Sequence, residues 1–245
     1  MKKGLRLLLC ALLLSLVFGF SAYARAGGGG SGGGGGGSSG GGSSRHMYSD
    51  TGTRRSNPIS SILNTGIGIA IAAGGTIVFV YRARKAKAKS VRLMKAYEKV
   101  GKNWNYREIQ KRIEEAYYEI QECWRRQDAD YAAEYLSREL KEQWQAKLEW
   151  MVIRGEEVVQ KNVKLLSAVP VQAVDREGES DDRIWYLIHG SMIGYYVDRQ
   201  TKEVLRGNTR PERFYEYWLF IYEEGRWVLH EIRQKNEMDI RQFSE

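Results

Sequence analysis

Between Ile59 and Tyr81 the chain runs 23 residues without a formal charge, and five cations follow at once: Arg82, Arg84, Lys85, Lys87 and Lys89. As a helix, such a run reaches about 35 Å, enough to cross a ~30 Å hydrocarbon core with slight tilt. Basic residues stay on the cytoplasmic side of a span, so the sequence predicts one transmembrane helix running outside to inside, with the chain that follows it in the cytoplasm. Gly68 and Ala72 lie four apart, a weak small-residue spacing that membrane helices often carry without using it.

The segment before the span predicts export. Lys2, Lys3 and Arg6 make a positive start, Leu7 to Phe20 is apolar, and Ser21-Ala22-Tyr23-Ala24-Arg25-Ala26 sets small residues at alternate positions. That order is a secretory signal over residues 1–26, with cleavage after Ala24 or Ala26. The alternative is a retained first membrane helix, for which the apolar run is shorter than the ~20 residues a bilayer requires. Both readings give the next helix the same orientation. Cys10 follows Leu7-Leu8-Leu9, without the small residues that precede a lipidated cysteine. Residues 27–44 are only Gly and Ser, a coil spanning roughly 20–25 Å that begins a flexible tether over 27–58.

The charge divides in the same way as the composition. Residues 1–103 carry a net +14 and residues 104–245 a net −6. A nucleic-acid-binding domain carries its own basic surface, so no nucleic-acid partner is expected of the folded part. The cations Arg82, Arg84, Lys85, Lys87, Lys89 and Arg92 instead open a basic segment, 82–103, at headgroup depth, where each contributes roughly 1 kcal/mol near an anionic leaflet. These six residues are the candidate lipid-binding set. The plainer alternative is that they only fix topology.

From Trp104 the pattern becomes helical. Ile109, Ile113, Ala116 or Tyr117, Ile120 and Trp124 form one stripe; Leu136, Leu140, Trp144, Leu148 and Met151 form a second. Between them, Asp128 or Asp130 can cap a helix. Four segments rich in β-branched and aromatic residues follow: Val158–Val174, Ile184–Val197, Phe214–Glu223 and Arg226–Gln234, separated by turn compositions. Helices followed by a run of strands predict an α+β domain over 104–235, with helices packed on a curved antiparallel four-stranded sheet, and then a tail over 236–245.

The last two strands read Phe214-x-Glu216-x-Trp218-x-Phe220 and Trp227-x-Leu229-x-x-Ile232, and the first helix carries Ile120-Gln121-x-x-Trp124 ahead of Tyr135-Leu136-Ser137. In these motifs residues 104–234 resemble the Tim44-like domain, the C-terminal domain of the mitochondrial inner-membrane import-motor scaffold, which has the nuclear-transport-factor-2-like fold. The resemblance implies a membrane-associated scaffold with protein partners and anionic-lipid contact. The export signal, Gly-rich tether and membrane span depart from the mitochondrial protein and resemble signal-bearing bacterial members. They put the mitochondrial partners in doubt.

Glu216 is the most unusual residue, an acid sharing a strand face with Phe214, Trp218 and Phe220. Burial raises a carboxyl pKa, so Glu216 could serve an enzyme of this fold as a base; the plainer reading is that an arginine or a backbone donor satisfies it. Glu216, Trp218 and Tyr196 are the candidate lining of a concave pocket for a peptide or acyl chain. The strand aromatics, which could otherwise stack nucleic-acid bases, then divide into a face against the helices and a face lining that pocket. His189 and His230 lie on separate strands with no third ligand, so no metal site is expected. Cys123 adjoins the helix stripe as a core thiol. No phosphate loop, nucleophile–base pair or cofactor motif appears, so no catalytic residue and no cofactor is expected. The leading reading is a single-pass inner (plasma) membrane scaffold, not an enzyme, whose cytoplasmic domain binds a protein partner while its basic segment contacts anionic lipid. The alternatives are an enzyme or small-ligand binder using Glu216, and a ribosome- or RNA-associated adaptor. No feature sets an oligomeric state.

Overall fold

Strand alternation and helix stripes assemble as the sequence predicts. The computed structural model describes residues 24–26, 58–101, 103–176 and 182–244. A long helix, α1 (Pro58–Tyr97), precedes α2 (Tyr106–Arg126), a 3₁₀ turn (Asp130–Tyr135) and α3 (Arg138–Ile153). The strands β1 (Glu156–Val174), β2 (Arg183–Asp198), β3 (Val204–Glu223) and β4 (Arg226–Gln234) follow, and a short α4 (Arg241–Ser244) closes the chain. The strands lie in the order β1-β2-β3-β4, each antiparallel to its neighbour.

Capping sets the helix ends. The Asn105 side chain accepts from the N–H groups of Arg107 and Glu108, and α2 stops at Gln127, which takes a left-handed φ of 57°. Ser137 caps α3 by accepting from the Leu140 N–H at 3.2 Å. Asp128 accepts from the Asp130 N–H at 3.0 Å and starts the 3₁₀ turn. The two predicted stripes are buried: Ile109, Ile113, Tyr117, Ile120 and Trp124 on α2; Leu140, Trp144, Leu148 and Met151 on α3.

Both faces of the sheet are covered by protein, which differs from the expected division into a helix face and a pocket face. Ile184, Tyr186, Ile188, Trp218 and Phe220 face α2 and join the main core. On the opposite face, Val171, Leu187 and Tyr217 pack with Ala86, Ile240 and Phe243, with Phe79 and Ala83 against them. The Phe79 ring meets Tyr215 edge-on at 5.3 Å, and Phe243 lies 5.5 Å from Tyr217. Aromatic rings on successive residues of β2 and β3 therefore serve two cores, and Trp218 and Tyr196, expected to line a pocket, are buried in the helix-covered one.

Two elements are longer than their sequence signals. β3 begins at Val204, ten residues before the predicted start, because the stretch 204–213 pairs with Ser191–Val197 despite its loop-like Gly207, Asn208 and Pro211. At Gly207 φ is 102° and an added Cβ would meet Tyr195 Cα at 2.6 Å, so only glycine lets the two strands approach here. α1 is a single helix of 40 residues that includes Ile59–Tyr81 and continues to Tyr97. The basic segment is thus helical as far as Tyr97 and packs on the fold, with Ala86, Ser90 and Met94 buried at four-residue spacing. Among the described residues no helix is long and apolar enough to cross a membrane. Residues 59–74, most of the predicted span, lie outside those whose side chains are described, as do the predicted signal apart from 24–26 and the tether up to residue 57.

Candidate functional site, an arginine held in the concave pocket

Glu216 and Gln234 face each other across the β3–β4 register. On β1, Gln160 lies opposite Gly194 of β2, and Gln121 reaches toward it from α2. These four polar side chains converge on the same segment, Ala24-Arg25-Ala26, which is buried between the sheet and α2. Arg25 Nε donates to Glu216 Oε1 at 2.5 Å, and its Nη2 donates to Gln234 Oε1 at 2.6 Å. The guanidinium plane is also covered, with Arg25 Cζ 4.3 Å from the centroid of the Phe214 ring. The main chain is held as well. Gln160 Nε2 donates to the Ala24 carbonyl at 2.8 Å, and the Ala26 N–H donates to Gln121 Oε1 at 3.2 Å.

Glu216, fully buried, also accepts from Gln234 Nε2 at 2.9 Å and from Trp218 Nε1 at 3.0 Å. Arg25, Gln234 and Trp218 thus each donate a hydrogen bond to this carboxylate. A buried ion pair of this kind needs its remaining lone pairs satisfied to be tolerated, and Gln234 and Trp218 do that. The arginine that meets Glu216 comes from residues 24–26, at the end of the segment expected to be a leader. Two glycines make the space. A Cβ on Gly194 would sit 3.1 Å from the Ala24 carbonyl oxygen, and one on Gly190 would sit 2.4 Å from Phe214 and 2.6 Å from Tyr117 Oη. Tyr117, against Trp218 at 5.7 Å, has its phenol pKa pushed up by burial, with the Glu216 charge adding to it.

The other expected site residues separate. Trp218 belongs to the pocket through Glu216, whereas Tyr196 is positioned by Trp124, whose Nε1 donates to its hydroxyl at 3.3 Å, and by Arg206 stacked 3.9 Å over its ring. Of the six candidate lipid residues, Arg84, Lys85, Lys87, Lys89 and Arg92 are exposed on α1, while Arg82 is half-buried and its charge helps hold the Asp239 carboxyl below its ordinary range. Backbone and side-chain hydrogen bonds from Arg241 are the larger causes there.

His189 stacks on Tyr215 at 4.1 Å, and burial, reinforced by Arg213, lowers its pKa. Ser137 Oγ lies 3.0 Å from His230 Nδ1, with Glu139 3.9 Å from the other ring nitrogen, a grouping the sequence did not suggest. Ser137 is fully buried and its oxygen caps α3, so this serine is placed as a structural acceptor. Burial pushes the Cys123 thiol up to about 12, which matches a core cysteine. Among the described residues no cluster of three or more His, Cys, Asp or Glu is arranged to hold a metal.

Sequence reasoning missed Arg25, Gln121, Gln160 and Gln234. One signal was present: an acid on an apolar strand face requires a cation, and here that cation lies 191 positions away at Arg25.

A family model described as the Tim44-like domain matches residues 90–234. A search of curated proteins finds no match. Among solved structures, the crystal structure of the intermembrane space region of chloroplast protein ARC6 is similar at 9% identity with a TM-score of 0.31, over 44% of this chain and 78% of that one.

Proposed function

We propose that this chain, which belongs to the Tim44-like domain family, is a membrane-anchored adaptor rather than an enzyme, and that its concave pocket holds a short segment of a partner protein. The observation carrying this reading is the way residues 24–26 are held. Gln160 and Gln121 bond to the main chain of the segment, while Glu216 and Gln234 bond to its side chain. Bonding a backbone and a side chain together is what peptide recognition requires. α1 serves as the anchor, its uncharged half in the inner membrane and its remainder fixed to the sheet. The exposed cations of α1 then lie near the cytoplasmic leaflet, where they attract anionic headgroups.

A photo-crosslinking residue substituted at Gln234, on the pocket, and another at Glu149, on the exposed side of α3, would test the adaptor role in intact membranes. A discrete protein adduct at position 234 and none at 149 is expected. Equal adducts at both positions, or adducts only with lipid at 234, would overturn the reading.

A further inference from the structure

We infer that the concave pocket is a guanidinium-reading peptide site, with an arginine between small residues as its ligand, and that the end of the chain's own leader fills it before membrane insertion. This rests on the adaptor reading and names the chemistry of its ligand.

Three observations specify arginine. Two of its nitrogens, Nε and Nη2, each meet a different acceptor, Glu216 Oε1 and Gln234 Oε1, along one edge of the guanidinium plane. The face of that plane rests on Phe214. A lysine ammonium is a point charge without the planar fork that meets two acceptors along one edge. The acceptors are fixed in turn, because Gln234 accepts from Arg25 and donates to Glu216, while Trp218 holds the other carboxylate oxygen. The flanking positions specify small residues: Ala24 and Ala26 are fully buried, and the Ala24 carbonyl already sits where a Cβ on Gly194 would approach it to 3.1 Å. One donor remains to be used. Gln121 Nε2 is buried without a hydrogen-bond partner among the described residues, and a further carbonyl of a longer ligand would satisfy it.

Seating in cis requires residues 24–26 and the sheet to share one side of the membrane. The orientation predicted across Ile59–Tyr81 puts them on opposite sides. The cis state therefore belongs to the chain before insertion, and translocation of the leader withdraws Arg25. Glu216 is then left buried without its cation, a costly arrangement that favours uptake of an arginine from a partner.

The test uses the unprocessed full-length chain and a labelled, end-blocked Ala-Arg-Ala-Gly peptide. Arg25→Ala should bind the peptide at least about tenfold more tightly than wild type, whose pocket is filled; the same peptide with lysine should bind Arg25→Ala at least about tenfold more weakly than the arginine form. Arg25→Ala/Glu216→Gln should bind neither. Because Arg25→Ala leaves a buried charge and can lose its fold, a second form keeps every pocket residue. A protease site inserted between Ser38 and Ser39 is cut after folding, so that the leader segment can exchange, and peptide uptake should appear only on cutting. Equal uptake by intact wild type and Arg25→Ala, or no gain on cutting, overturns occupation by the leader. Failure of folded Arg25→Ala to bind, or equal binding of the lysine peptide, overturns the arginine site. If this pattern holds while crosslinks at position 234 capture no protein, the arginine site stands and the adaptor role fails.

Discussion

Arg25 Nε meets Glu216 Oε1 at 2.5 Å although the two residues lie 191 positions apart, so residues 24–26 and the third strand share one buried ion pair. Removing one partner of such a pair strands the other, at a cost of about 3–5 kcal/mol, whereas removing both charges costs less than the two single changes together. Arg25→Ala in the unprocessed chain should therefore be strongly destabilised, and Arg25→Ala/Glu216→Gln should recover part of the loss. Urea unfolding of the four members of this cycle measures the coupling. Additive effects would mean that the two residues do not interact in solution.

Gly190→Ala should destabilise the domain by about 1–3 kcal/mol, the usual cost of overpacking a filled core. The added carbon would enter the space of Tyr117 and of Phe214, whose ring covers the arginine. Thermal unfolding gives the cost. Unchanged stability would show that the rings move aside freely.

Acid should weaken the fold through Glu156. Burial acts to raise its carboxyl pKa, but hydrogen bonds from Arg206 at 2.5 Å and Arg154 at 2.9 Å outweigh this and bring it below its ordinary value of 4.5. The unfolded chain thus binds a proton that the folded chain refuses. This contribution is present above 4.5 and is lost as pH falls through the lowered folded value. Denaturant titrations from pH 6 to about pH 3 should show a drop in stability that is shallower in Arg206→Ala. An identical slope in that variant would assign the acid sensitivity to other carboxylates.

The exposed cations of α1 should govern encounter with anionic membranes. Arg84→Gln, Lys87→Gln and Arg92→Gln combined in the full chain should slow association with anionic vesicles at low salt and leave association with neutral vesicles unchanged. The difference should shrink as the Debye length falls from ~10 Å at 0.1 M to ~3 Å at 1 M. Stopped-flow light scattering across a salt series follows this. A charge-independent rate would leave the basic run as a topology signal alone.

Much of the fold was legible because its signals are local. The stripes from Ile109 to Trp124 and from Leu140 to Met151 repeat at the helical period, and the alternation through Ile184–Val197 and Phe214–Phe220 identifies strands directly. The early half of β3 was hidden because Gly207, Asn208 and Pro211 have turn chemistry, while the pairing that overrides it comes from Met192–Val197. The continuation of α1 was hidden for a similar reason. Arg82 to Lys95 looks like a solvated basic run until Ala86, Ser90 and Met94 are seen as its packing face. Glu216 could be recognised as an acid needing a cation, but the identity of that cation depends on a contact between distant segments, which no local pattern records.

The unbroken course of α1 has a mechanical consequence. Forty residues make a rod of about 60 Å. Phe79, Ala83, Ala86 and Met94 pin the far half of this rod to the cores on both sides of the sheet. No hinge separates the proposed anchor from the fold, so a change of tilt in one half turns the other through the same angle. A span longer than the hydrocarbon is thick is accommodated by tilting, and here that tilt would turn the arginine site toward the lipid surface or away from it.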